Sequence, residues 1–187
     1  AAARPDVPLV VTGPRGSGKT TLLRQFLAGL SDDECASALV LAHFVGGSAS
    51  SFFLRRMLAS TIATLLDAVP DDVRVPLDED FAAAATSQAA LVELWPRVLA
   101  LAAEYTRIVF VLDGVDAIFK DGYDGDLPWL PRSLPENVAM LVGCSEPHAY
   151  VEHAVLVHRM QPLDLEMRRD VVRALFKAHG RALNEDP

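Results

Sequence analysis

A glycine-rich segment between an apolar run and a helical run constrains this chain more than any other feature. Its eight residues fit the pattern G-x-x-x-x-G-K-[ST]: Gly13, Pro14, Arg15, Gly16, Ser17, Gly18, Lys19 and Thr20. The apolar run Leu9–Thr12 predicts a short strand before the segment, and Lys19–Leu30 has the apolar spacing of a helix. Strand, glycine loop and helix form the context in which this pattern builds a phosphate-binding loop.

The residue types in this loop suit a nucleotide ligand. Glycines let consecutive backbone N–H groups turn toward an anion, and the start of the helix adds a partial positive charge. We expect Lys19 to reach the β- and γ-phosphates, the Thr20 hydroxyl to ligate Mg²⁺, and Thr21 to join the nucleotide site. The predicted cofactors are therefore ATP or GTP with Mg²⁺. A glycine-rich turn without a ligand is the weaker alternative.

Length and charge narrow the class of protein. A chain of 187 residues that is 51% hydrophobic can bury one sizeable core. The net charge of −8 argues against direct binding to nucleic acid or to an anionic membrane. No apolar run approaches the ~20 residues of a membrane span. Cys35 and Cys144 lie far apart, so we expect both to be buried, reduced thiols of an intracellular, cytoplasmic protein.

The chain is predicted to be a piece of a longer protein, because it opens on Ala1–Ala3 without Met and reaches the phosphate loop at once. We expect residues 1–163 to form a nucleotide-binding core. Residues 164–187 are expected to form a helix that leads to a downstream domain. The predicted partners are a nucleoside triphosphate, the flanking domains of the parent chain and other proteins.

Apolar runs alternate with helical patterns along the chain. After Leu9–Thr12, strands are predicted at Ala38–Phe44, Ile108–Leu112, Val138–Val142 and Val155–Val157. Further helices are predicted over residues 51–66, 83–104 (interrupted or bent at Pro96) and 164–179, with an acidic, proline-containing connection at 70–80. This alternation indicates an α/β fold: a three-layer P-loop core with a parallel five-stranded sheet and helices on both faces.

Two acidic residues supply the second half of a nucleotide site. Asp113 directly follows an apolar strand, which is the Walker B arrangement for an acid that holds Mg²⁺ through water. An aspartate that merely starts an Asp-Gly turn is the alternative. Asp116 follows three residues later. It has two equally favoured roles: a general base that orients the attacking water, or a cap for the next turn.

The segment Leu112–Asp116 resembles the Walker B signature of NACHT domains, a branch of the STAND class of signal-transducing ATPases and GTPases. Residues 43–51, 127–138 and 178–183 are similar to segments of the nephrocystin and telomerase-associated-protein subgroup. The resemblance implies the strand order 5-1-4-3-2, with Asp113 and Ser145 beside the phosphate loop. It also implies a nucleotide-dependent switch in a multidomain signalling protein, with a cytoskeletal or ciliary location.

Departures from that pattern bear on hydrolysis. Ala117 stands where many NACHT domains carry a second acid, and Glu146 replaces the arginine of a common Ser-Arg-Pro sequence. Residues 146–153 contain no arginine ahead of the fifth strand. We therefore expect nucleotide binding with slow turnover or none.

Two function classes follow, and three others fit less well. The first is a switch that binds and slowly hydrolyses a nucleoside triphosphate. The second is a catalytically inactive P-loop scaffold within a large assembly. A metabolic kinase lacks its arginine-rich lid here, a small GTPase its Asn-Lys-x-Asp motif, and an ABC transporter subunit its Leu-Ser-Gly-Gly-Gln signature.

Overall fold

A five-stranded parallel sheet forms the centre of the computed structural model, which describes residues 6–121, 127, 129–145 and 156–181. The strands are β1 (Leu9–Thr12), β2 (Ala38–Phe44), β3 (Arg107–Asp113), β4 (Val138–Cys144) and β5 (Leu156–Arg159). They lie in the order β2-β3-β4-β1-β5, which is the predicted 5-1-4-3-2 read from the other edge. Every pair of neighbours is parallel. The predicted order is confirmed. Because β1 lies between β4 and β5, the loop that follows β1 begins between the ends of these two strands.

Six helices and two 3-10 turns surround the sheet in the described part of the chain. The helices are α1 (Lys19–Ala28), α2 (Asp32–Ala36), α3 (Leu54–Leu66), α4 (Asp71–Ala84), α5 (Gln88–Tyr105) and α6 (Leu165–Ala178). The 3-10 turns are Ala49–Phe52 and Val115–Asp121. The predicted α/β class is confirmed.

Strand β3 shows why the sheet needs a layer on each face. Successive side chains of a strand point to opposite faces, and almost every residue of β3 is apolar. Ile108, Phe110 and Leu112 are buried in the large core that α3 and α5 complete. Val111 points the other way and packs with Leu23 of α1 in a smaller cluster. Helices therefore cover both faces, and the three-layer prediction is confirmed.

The acidic segment at 70–80 was wrongly predicted to be only a connection, because most of it lies in α4. Three apolar side chains recur at helical spacing and pack against the large core: Val73, Leu77 and Phe81. On the outer face, Arg74 contacts Asp71 at 3.0 Å and Asp78 at 3.1 Å. Tertiary packing of one face and local ion pairs on the other thus stabilise a helix that contains Pro76.

The helix predicted over 83–104 is interrupted near its start and not at Pro96 as expected. Helix α5 continues through Pro96, and the break lies between Ala84 and Gln88. Ser87 caps the new start, since its side chain accepts a hydrogen bond from the Ala90 N–H at 3.3 Å. The turns on both sides of Pro96 are anchored in the core by Trp95 and Val98, which offsets the lost backbone hydrogen bond.

The cysteines divide between the surface and the interior. Cys144 is buried as predicted, whereas Cys35 is exposed on α2, so the prediction of two buried thiols was half wrong. No disulfide joins them, and the Cys144 thiol contacts Thr12 Oγ1 at 3.7 Å. Every residue of the short α2 whose burial is described is exposed, so this helix offers Cys35 no core to enter. Among the described residues, no helix combines the length and hydropathy needed to cross a membrane.

The C-terminal helix begins and ends as predicted. Asp164 accepts a hydrogen bond from the Met167 N–H at 2.8 Å and so caps the start of α6. Gly180 has φ +66°, and the Arg181 N–H donates to the Phe176 carbonyl at 2.8 Å, which closes the helix in a Schellman turn. No residue of α6 is buried. Whether it leads to another domain stays a prediction.

Candidate functional site

The phosphate loop begins where two backbone segments approach closely. A Cβ placed on Gly13 would lie 2.6 Å from the Met160 carbonyl oxygen, so only glycine fits there without a shift. The Met160 N–H donates to the Thr12 carbonyl at 2.7 Å and holds the end of β5 against the end of β1. Further along, Gly16 and Gly18 adopt φ of +80° and +92°, a region that disfavours other residues.

Lys19 lies inside the curve of this loop. Its Nζ donates to the Gly13 carbonyl at 2.8 Å and to the Pro14 carbonyl at 2.9 Å, and the residue is only 8% exposed. An ammonium group has three donors, so these bonds leave one donor for an anion. Lys19 therefore both closes the loop and brings a nearly buried positive charge to it.

Thr20 and Asp113 meet although 93 positions separate them. The Thr20 hydroxyl donates to Asp113 Oδ2 at 2.5 Å. Thr20 is the second residue of α1, and Asp113 ends β3, so the contact joins the loop to a strand that is not its neighbour. The two oxygen ligands expected to share Mg²⁺ are therefore adjacent.

Asp113 owes its position to its surroundings as well as to its strand. Its backbone carbonyl accepts a hydrogen bond from the Val45 N–H at 2.9 Å. On the neighbouring strand, a Cβ added to Gly143 would lie 2.6 Å from Asp113 Oδ1. The bare backbone of Gly143 thus leaves room for the carboxylate. Sequence reasoning missed this residue, because its only signal is the register that pairs Gly143 with Asp113.

Asp116 and Ser145 contact each other at the same edge of the sheet. The Ser145 N–H donates to Asp116 Oδ1 at 3.1 Å. Asp116 lies in the 3-10 turn after β3, and Ser145 directly follows β4. Neither of the two roles considered for Asp116 included this partner, since nothing in the sequence links positions 29 apart.

These residues surround a cleft of about 380 Å³. It is lined by Arg15, Gly16, Gly18, Lys19, Thr20, Thr21, Val45, Asp113, Gly114 and Ser145. The structure thus brings together most of the residues that the sequence assigned to nucleotide and metal binding. Ser17 lies beneath the loop at 2% exposure, and Asp116 reaches the cleft only through Ser145.

The cleft has the properties that a phosphate group and a divalent cation require. Nothing lies within 4 Å of a Cβ placed on Gly16, so the loop is open there. Lys19 supplies positive charge, and Thr20 and Asp113 supply the hard oxygen ligands that Mg²⁺ prefers. The buried Ser17 hydroxyl has no hydrogen-bond partner among the described residues. The donor set therefore fits a magnesium-bound nucleotide.

A second cleft, of about 330 Å³, adjoins the first and shares Ser145 with it. Its lining consists of Thr12, Gly13, Pro14, Ser145, Arg159, Met160, Gln161 and Pro162. Sequence reasoning assigned none of the last four residues to the site. The parallel pairing of β5 with β1 aligns Arg159 with Thr12 and so brings an arginine beside the loop. The predicted strand order sets β5 beside β1, but only the register identifies Arg159 as the residue next to Thr12.

Of the departures from the NACHT pattern that bear on hydrolysis, only Ala117 lies among the described residues. Ala117 lies in the 3-10 turn after β3, and its N–H donates to the Gly114 carbonyl at 2.9 Å. A methyl group at that position supplies no carboxylate. Glu146 and the rest of residues 146–153 lie outside the described residues, so their departures remain features of the sequence.

A match to a family model supports the assignment of the first cleft to a nucleotide. A family model described as an AAA ATPase domain matches residues 1–147. Human nephrocystin-3 is 30% identical over 149 residues, which are 76% of this chain and 10% of that protein. The chain thus spans a small part of that relative's length. The structure of C. elegans PCH-2 aligns with 96% of this chain and 42% of its own, at 16% identity and a TM-score of 0.46.

Proposed function

The chain belongs to the AAA ATPase domain family, and we propose that it is a switch module that binds a nucleoside triphosphate and hydrolyses it slowly. ATP is favoured over GTP because the family is one of ATPases. One observation carries the proposal: Lys19, Thr20 and Asp113 converge on a single cleft at the carboxyl edge of the sheet. Ligands of open α/β sheets bind at this edge.

In this proposal the first cleft binds the phosphates of the nucleotide, and the second cleft binds its nucleoside. The loop N–H groups and Lys19 hold the phosphates in the first cleft, and Thr20 with Asp113 holds Mg²⁺, which shields the phosphate charge. The second cleft receives the nucleoside. There, Met160 and Pro162 offer apolar surface to a base, and the Gln161 amide offers both a donor and an acceptor.

Slow turnover follows from the charges around the first cleft. Arginine-type stabilisation of a transferring phosphoryl group contributes ~10³-fold or more to the rate. Among the described residues, Arg15 is the one arginine that lines that cleft, where it is exposed, and Arg159 lies in the adjoining cleft. Ala117 offers no second acid for water activation. We therefore expect turnover far below the ~1–100 s⁻¹ of kinases.

The finer assignment to the NACHT branch of the STAND class is part of the proposal. It rests on the likeness of the Leu112–Asp116 segment to that branch and on the similarity to nephrocystin-3. In such a switch, bound nucleotide would hold this core against flanking domains or other proteins, and hydrolysis would release them. The exposed apolar side chains of α6, such as Leu165 and Leu175, supply surface for such a contact. An intracellular location belongs to the same proposal.

An inactive scaffold is the second candidate, and one observation favours it. The loop is hydrogen-bonded within the protein, because Lys19 donates to two loop carbonyls and Thr20 donates to Asp113 of β3. Such a loop keeps its shape by contacts with the protein alone. The two candidates differ in turnover and not in fold.

Titration of the purified chain with a fluorescent ATP analogue in the presence of Mg²⁺ tests the binding half of the proposal. Lys19→Ala is expected to weaken affinity by ~100-fold, because the ammonium makes charge-assisted contacts with phosphate. Lys177→Ala, which removes a surface lysine of α6, serves as the matched control and should bind as the wild type does. Equal affinity for wild type and Lys19→Ala would refute nucleotide binding at this loop.

Turnover of the same samples separates the switch from the scaffold. A slow release of phosphate that Lys19→Ala abolishes supports the switch. Binding without measurable release supports the scaffold. Turnover of several per second would contradict both, since it would require a catalytic group that neither candidate contains.

A further inference from the structure

Asp116 and Ser145 form a link between the ends of two neighbouring strands. β3 and β4 pair in register up to Asp113 and Gly143, and the Gly114 N–H still donates to the Gly143 carbonyl at 2.9 Å. Beyond that point β3 is followed by the 3-10 turn, and β4 ends at Cys144. The carboxylate of Asp116 bridges the gap by accepting the Ser145 N–H at 3.1 Å. A side chain therefore extends the contact between the strands by one further hydrogen bond.

The position of Ser145 gives this bond a consequence at the site. Ser145 lines both the cleft that contains Lys19 and the cleft that contains Arg159. It is half-buried and directly follows β4, so the strand alone no longer determines its place. A hydrogen bond from a backbone N–H to a carboxylate is stronger than one to a neutral acceptor, so this bond favours one position of Ser145.

We infer that Asp116 is a positioning residue: its carboxylate holds Ser145 in the wall shared by the two clefts, and it acts through Ser145. A general base must lie within hydrogen-bond reach of the reacting water, whereas in the described part of the chain Asp116 lines neither cleft and contacts their shared wall through Ser145. The inference rests on the proposed nucleotide site for its effect on function, and on the hydrogen bond alone for its effect on Ser145.

Exchange of the Ser145 amide hydrogen, followed by NMR on the full chain, tests the link without any nucleotide. Asp116→Ala removes the acceptor and is expected to raise the exchange rate by ~10-fold or more. Asp116→Asn keeps a carbonyl oxygen that accepts the same N–H, and it should keep most of the protection. Equal protection in the wild type and Asp116→Ala, or equal loss in both variants, would overturn the inference. If the alanine variant fails to fold, the asparagine variant still decides, because unprotected exchange there contradicts the inference.

Nucleotide affinity and turnover then separate positioning from base catalysis. If Asp116 positions Ser145, we expect Asp116→Asn to recover at least half of the nucleotide affinity that Asp116→Ala loses, because asparagine restores the acceptor. We also expect Asp116→Ala to cause little further loss of affinity in a Ser145→Ala background, since the two residues act as one unit. A general base would instead leave binding intact and make Asn as inactive as Ala. Failure of the wild type to bind nucleotide would refute the proposed function, while the exchange data would still decide whether Asp116 positions Ser145.

Discussion

The two walls of the nucleotide cleft are built in different ways. One wall is the phosphate loop, in which Gly16, Gly18 and Lys19 lie within a few positions of one another. The other, the assembled wall, has Asp113 and Ser145 in its lining and Gly143 beside the Asp113 carboxylate. These residues lie at the ends of β3 and β4, which the register of the sheet sets side by side. The first wall carries positive charge and backbone N–H groups. The second carries the carboxylate and controls its position.

This difference indicates that the two walls contribute differently to nucleotide affinity. The loop wall should determine the affinity for phosphate whether or not metal is present, because its groups contact the anion. The assembled wall should determine only the part of the affinity that depends on Mg²⁺, because its carboxylate is a metal ligand. Variants in each wall test whether these two contributions are separable.

Asp113→Asn should produce the largest effect in the assembled wall. The substitution keeps an oxygen that can accept from Thr20 but removes the negative charge that attracts Mg²⁺. We expect affinity for ATP to fall by ~100-fold with Mg²⁺ and to change little in EDTA. Titrations under both conditions provide the measurement.

A double-mutant cycle sharpens this prediction. Thr20→Ala should also reduce only the Mg²⁺-dependent affinity, and the combined variant should be little worse than Asp113→Asn alone, because both residues serve one metal. Fully additive losses would contradict a shared ligand set.

Gly143→Ala should produce a smaller effect in the same direction without removing any charge. Its new methyl group would lie 2.6 Å from Asp113 Oδ1 and 2.9 Å from a methyl carbon of Leu23, so the carboxylate must move. We expect a loss of ~10-fold in Mg²⁺-dependent affinity, as for residues that support a metal ligand. Gly29→Ala at the end of α1 is the matched control. If Gly143→Ala weakens binding equally in EDTA, the two walls are not separable.

Arg15 belongs to the loop wall, and Arg15→Ala should produce the smallest loss of nucleotide affinity. The side chain is exposed, so water and salt screen its attraction to phosphate. We expect a loss of ~2–5-fold that is independent of Mg²⁺ and shrinks as the salt concentration rises. An effect that requires Mg²⁺ would show that Arg15 acts together with the metal ligands of the assembled wall, which contradicts the prediction.

The loop wall was predictable from the sequence because its structure is local. Glycine at positive φ, a lysine and a hydroxyl residue at the start of a helix form one contiguous pattern, and the strand before it is visible as an apolar run. Asp113 was predictable for the same reason, since it directly follows a buried strand. The strand order came from the family resemblance, and the structure confirms it.

The assembled wall and helix α4 show where local patterns stop being informative. Helix α4 contains Pro76 and several acidic residues, which obscured the helical spacing of its apolar side chains; its packing on α3 and α5 shows that these side chains share a face. The role of Gly143 depends on a neighbour 30 positions away, and the partner of Asp116 is the backbone of another strand's end. Composition and spacing carry no trace of either contact.

The sequence by itself determined the phosphate loop, the five strands' approximate places and the acid that follows β3, because each depends on residues within about ten positions of one another. The tertiary structure decided which side chains face that acid, which arginine stands beside the loop, and what Asp116 binds. The physical reason is the register of the parallel sheet. It sets residues of distant segments side by side, and no property of either segment alone specifies that alignment.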